Sequence, residues 1–107
     1  MAEFASDILF SIDTALQLKN GLNAETITVS KTLTYQDSTY QALKNTTGAL
    51  DVILPSPKSG CHFWIKSRAS SSSNIVVKDH LGSSIKTLAA GDGVLFCCDD
   101  SAWYDLS

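Results

Sequence analysis

Two histidines, His62 and His80, and three cysteines, Cys61, Cys97 and Cys98, are the side chains with which this 107-residue sequence could build a nucleophile pair or a metal centre. A Ser-His or Cys-His pair would have to use one of the two imidazoles. Neither lies in a local catalytic signature. His62 shares an expected strand face with Trp64 and Lys66, and His80 falls in an expected turn. Zinc needs about four converging Cys or His ligands. Cys97 and Cys98 are adjacent, so a strand points them to opposite faces and no more than one could join Cys61 and a histidine. Asp92, Asp99, Asp100 and Asp105 lie in or beside expected turns, where they could donate oxygens to calcium or simply form the turns. No glycine-rich loop follows a strand and opens a helix, as a nucleotide site would require. The expectation is a chain with no catalytic residues, no metal and no cofactor.

Composition narrows the class further. Eleven acidic against eight basic residues give a net charge of −3, with the basic residues scattered from Lys19 to Lys86. Nucleic-acid binding calls for clustered Lys and Arg, so it is not expected. The longest apolar runs are far short of the roughly 20 residues that span a bilayer, so no membrane partner is expected either. An odd number of cysteines, two of them adjacent, reads as reduced thiols of a cytoplasmic environment. The start of the chain carries no positive charge before its apolar residues, which argues against a cleaved signal peptide.

From residue 25 onwards apolar side chains recur with a period of two, the spacing of half-buried strands. The runs are 26–29, 39–43, 50–54, 61–66, 74–78, 83–88, 94–98 and 102–106. Pro55 and Pro57 stop the third run, since neither can donate to a central ladder. Ser67 to Ser73 is polar enough to read as an exposed loop, and 79–82 reads as the turn of a hairpin. No helical segments separate the strands as crossovers, so a parallel α/β sheet is excluded. The fold class expected is all-β: a small jelly-roll-like sandwich or barrel of seven or eight short antiparallel strands. Trp103-Tyr104 could stack on a sugar ring or lock the last strand onto the core.

Residues 1–22 do not fit this pattern. Phe4, Ile8, Leu9, Phe10 and Ile12 are apolar without clean strand alternation or helix caps, so the expected organisation is an N-terminal arm, 1–22, and a single β-domain, 23–107. An apolar arm with no place in the domain's own period needs a surface to cover.

The succession Leu50-Asp51-Val52-Ile53-Leu54-Pro55, Gly60 to Lys66, Asn74 to Asp79, Gly82 to Leu88, Gly91 to Asp99 and Ala102-Trp103-Tyr104 resembles a β-module of tailed-bacteriophage virion proteins. That module occurs in head-decoration, head-fibre and tail-fibre proteins, and the resemblance covers residues 38–105. Cys97-Cys98-Asp99-Asp100 departs from it, standing where the module has small or apolar residues before Asp-Gly. What the resemblance implies is a jelly-roll or sandwich, a homotrimer, and a place on a virus particle.

An arm plus one module suits a capsid-decoration protein better than a fibre with a long shaft. The expected role is therefore a trimer that binds the major capsid protein, stabilises the head surface and is assembled in the host bacterial cytoplasm. Phe4, Ile8, Leu9, Phe10 and Ile12 are the expected capsid-attachment arm, and His62, Trp64 and Lys66 the expected subunit interface. The alternative is a receptor- or glycan-binding module of a tail fibre or spike.

Overall fold

The computed structural model of the chain describes residues 21–69 and 73–106, and these form nine β-strands with no helix among them. The strands are β1 (Leu22–Ile27), β2 (Lys31–Thr32), β3 (Tyr40–Asn45), β4 (Leu50–Ile53), β5 (His62–Ser67), β6 (Ile75–Lys78), β7 (Ser84–Leu88), β8 (Gly93–Cys98) and β9 (Trp103–Leu106). They build a five-stranded sheet in the order β1-β3-β5-β8-β9 and a four-stranded sheet in the order β2-β4-β6-β7. The all-β class is as the alternating pattern indicates, and of the sandwich and barrel that the pattern left open the two sheets are compatible with the sandwich.

The pairing corrects the antiparallel expectation, and with it the jelly-roll-like connectivity. Four of the seven strand pairs are parallel: β1–β3, β3–β5, β2–β4 and β4–β6. Parallel neighbours need a crossover, commonly a helix. Here each crossover is a strand of the opposite sheet, so β1 to β6 wind as three successive coils, each laying one strand in each sheet. A period of two reports which face a residue occupies, and both pairing directions share that period. The antiparallel pairs β5–β8, β6–β7 and β8–β9 then close one end of the winding.

Local chemistry sets the coil corners. Gly48 and Gly60 turn the chain with φ of 104° and 83°, a region that a side chain disfavours. Pro55 and Pro57 keep the loop after β4 out of either ladder. The β6–β7 turn is held by Asp79, whose Oδ1 accepts from the Leu81 and Ser83 amides at 2.9 Å each. Arg68 stitches the first coils together, donating from Nε to Ala42 O at 3.1 Å and from Nη2 to Glu25 O at 3.2 Å.

The core lies between the sheets. Phe96, Leu33, Leu43, Leu54, Ile65, Ile75, Leu88, Val52 and Val77 are fully buried there. Toward β1 the interior turns polar. Asn23 donates to Gln41 Oε1 and to Glu25 Oε1 at 2.8 Å, and Lys31 on β2 pairs with Glu25 at 2.7 Å across the two sheets. Those contacts hold the Glu25 carboxyl below its ordinary value, Lys31 contributing most and Asn23 next.

Two sequence readings of the serine tract and the first strand are also corrected. Ser67 and Ser73 are buried, because Ser67 continues the inward row Phe63, Ile65 of β5 and its backbone bonds Asp92 and Gly91. β1 starts at Leu22 and ends at Ile27, leaving Val29 71% exposed in a bend. The short β2 was missed altogether, two residues being too few to show alternation. Leu22, assigned to the arm from the sequence, is a strand residue. The expected attachment residues Phe4, Ile8, Leu9, Phe10 and Ile12 lie outside the described residues.

Candidate functional site

Alternation on β5 sends Phe63, Ile65 and Ser67 inward and His62, Trp64 and Lys66 outward, as the sequence indicates. Strand register then adds what a single strand cannot show. Leu22, Tyr40, Trp64, Leu95 and Leu106 are successive partners across β1, β3, β5, β8 and β9. They form one continuous apolar row over the outer face of the five-stranded sheet, about 19 Å long at about 4.8 Å per strand. Four of the five are well exposed: Leu22 65%, Leu106 59%, Tyr40 43% and Trp64 41%. Single exposed apolar residues are ordinary, but a contiguous row marks a contact surface.

Trp64 occupies the middle strand of the row. A Cβ added to Gly93 would stand 3.7 Å from the Trp64 Nε1 and 3.6 Å from Lys66 Cβ, ordinary contact distances, so both side chains flank Gly93 over β8. The remaining outward strand positions are Ala24, Thr26, Ala42, Lys44, His62, Lys66, Gly93, Cys97 and Tyr104. None is acidic. On a chain of net charge −3 this face is apolar and basic.

Asp99 lies at its rim, where it is engaged by its own turn. Its Oδ1 accepts from the Ser101 amide and the Ala102 amide at 2.8 Å each and from Ser101 Oγ at 3.0 Å, and its Oδ2 accepts from Tyr104 Oη at 3.1 Å. The two amides, Ser101 first, bring its carboxyl down to about 2.

Beside the row, His62 also borders an open recess of about 390 Å³ lined by Tyr35, Asp37, Thr39, Lys58, Cys61 and Phe63. Three of its polar groups have structural partners. Tyr35 Oη donates to Ser56 O, Asp37 Oδ2 accepts from the Thr34 amide at 2.8 Å, and Lys58 Nζ stands 5.2 Å from the Tyr35 ring centre. Burial, then the neighbouring Cys98 and Cys61, push the Tyr35 phenol up to about 12. Tyr35 also stacks on Phe63 at 6.3 Å between ring centres.

The three cysteines are free thiols. Cys98 is buried and donates from Sγ to Lys58 O at 2.9 Å, whereas Cys97 faces outward opposite His62. His80 is exposed in the β6–β7 turn. Among the described residues no group of three or more His, Cys, Asp or Glu is placed to hold a metal ion, and no helix is long and apolar enough to cross a membrane. Trp103 is buried and donates to a backbone carbonyl, so it belongs to the core, while Tyr104 points outward.

The structure thus brings His62, Trp64 and Lys66 together on one face and adds Leu22, Tyr40, Leu95 and Leu106, which sequence reasoning missed. Alternation could have assigned each to an outward position. Only register aligns them. Comparison with protein-family models, with curated proteins and with solved structures gives no match for the chain.

Proposed function

We propose that the chain is a non-catalytic virion structural protein, a decoration protein that sits as a homotrimer on a phage head and cements neighbouring subunits of the major capsid protein. The observation that carries the assembly part is the apolar row from Leu22 to Leu106, with Trp64 in its middle. The phage-head part rests on the sequence resemblance over residues 38–105. In this reading His62, Trp64 and Lys66 belong to the contact between subunits, and Phe4, Ile8, Leu9, Phe10 and Ile12 reach the capsid. Several arms on one trimer engage several capsid subunits, so individually modest contacts sum to firm attachment. The protein acts on the capsid surface after assembly in the host cytoplasm.

Light scattering at tens of micromolar, followed by co-sedimentation with empty expanded heads, tests the reading. Three times the chain mass and saturable binding to heads are expected. A monomer that ignores heads overturns it. The recess beside His62, with Tyr35 and Lys58, favours a second reading, a receptor- or glycan-binding module of a tail fibre or spike. Binding to host cells or glycans that Lys58→Ala removes, with no binding to heads, would select it.

A further inference from the structure

The basic, apolar outer face leads directly back to the part of the chain that precedes it. β1 begins at Leu22, and Leu22 is itself one end of the apolar row. The twenty residues before Gly21 carry Phe4, Ile8, Leu9, Phe10 and Ile12 together with three carboxylates, Glu3, Asp7 and Asp13, against one ammonium, Lys19. The face offers the complement: Tyr40, Trp64, Leu95 and Leu106 with Lys44, Lys66 and His62, and no acidic strand residue. We propose that residues 1–20 of the same chain lie on the outer face of the five-stranded sheet and cover the apolar row before subunits assemble.

Geometry permits this without strain. Gly21 has a φ of 48°, a conformation that lets the chain reverse just before Leu22. The eleven steps along the chain from Phe10 to Gly21 reach about 36 Å when extended, well beyond the 19 Å or so of the row. Extended, a stretch the length of residues 8–12 spans about 13 Å, which is within the length of the row. Attachment through the same chain gives the segment an effective concentration in the millimolar range, so in dilute protein it occupies the face ahead of a second copy. The inference rests on the reading of this face as a contact surface. A neighbouring subunit that takes over the row would free the arm for the capsid.

Two tryptophans make the test direct. Trp103 is 6% exposed and Trp64 41%, so Trp64 is the indole a quencher can reach unless something covers it. Acrylamide quenching of the full chain is measured at submicromolar and at tens of micromolar protein, with the molecular mass taken at each concentration. Trp64→Phe identifies the Trp64 signal, and the Trp103 emission reports that the domain is folded. The expected result is a Trp64 shielded in the dilute monomer. In the full-chain variant carrying Asp7→Lys, Phe10→Ser and Ile12→Ser, the quenchable fraction should rise to about half of the emission, one indole of two.

A Trp64 that stays shielded in that variant overturns the inference. A Trp64 open in dilute monomer and shielded only in a trimer also overturns it, while leaving the assembly reading intact. A Trp64 open in a monomer at both concentrations removes both.

Discussion

The indole Nε1–H of Trp103 donates to the carbonyl oxygen of Pro55 at 2.8 Å, joining the last strand to the loop that leaves β4, 48 residues earlier. Its ring also lies 5.9 Å from Phe63. One side chain therefore ties the antiparallel closing strands to the coil, through a buried donor and a core contact at once. Trp103→Phe keeps the ring contact but strands the Pro55 carbonyl and should cost about 1 kcal/mol. Trp103→Ala should cost about 3–5 kcal/mol. Chemical denaturation of both variants checks the order, and a Trp103→Phe variant as stable as the parent would show that the hydrogen bond is idle.

Replacing Trp64 should separate assembly from folding. Its side chain is outside the core, so Trp64→Glu should change stability by no more than about 0.5 kcal/mol. Placed at the centre of the apolar row, the same carboxylate should abolish any trimer seen by light scattering. A trimer that survives it would mean that subunits meet elsewhere.

Asp99 sets an acid limit on the β8–β9 hairpin. Its folded carboxyl titrates at about 2, below the ordinary carboxylate value, so its contribution is complete at neutral pH. Below the ordinary value that contribution begins to fade, and it is lost as the pH falls through about 2. Amide protection over residues 99–106, taken relative to the intrinsic exchange rate at each pH, should therefore fall across that acid window, and Asp99→Ala should lower it already at neutral pH. Tyr104→Phe should do much less, because the Ser101 and Ala102 amides lower the carboxyl more than the phenol does.

Asn45 joins two coils from inside. Its Nδ2 donates to Gly48 O at 2.8 Å and to Asn74 O at 2.9 Å, and it is 2% exposed. Removing the amide takes this donor from Gly48 O and leaves Asn74 O with the Leu50 amide, so Asn45→Ala should cost about 1–3 kcal/mol by thermal or chemical unfolding. Asn45 Oδ1 has no partner among the described residues, which makes Asn45→Asp the harsher change: it adds a buried charge and removes the donor.

How far the sequence speaks for this structure depends on the range of the interaction. Outward and inward positions on β5 and β8 follow from alternation alone, so His62, Trp64 and Lys66 could be assigned to one face and Cys97 and Cys98 to opposite ones. The Asp79 and Asp99 turns are equally local, since each carboxylate bonds amides two to four residues on. Parallel pairing is not local. Nothing in Tyr40 announces that it will stand beside both Leu22 and Trp64, 18 and 24 residues away. The row is a product of that register, and so the sequence indicated its centre but not its length. Ser67 shows the converse: position on a strand overrode the polarity that suggested a loop.

Winding also separates the size of this body from its wiring. β1 to β6 repeat a single operation, one strand in each sheet per coil, so duplicating a coil in tandem would widen each sheet by one strand, about 4.8 Å, without rerouting any connection. An antiparallel sandwich of equal size offers no such increment, because an inserted strand changes the direction of all that follow. The closing strands β7, β8 and β9 would ride outward unchanged, and with each added coil the apolar row would gain one more place.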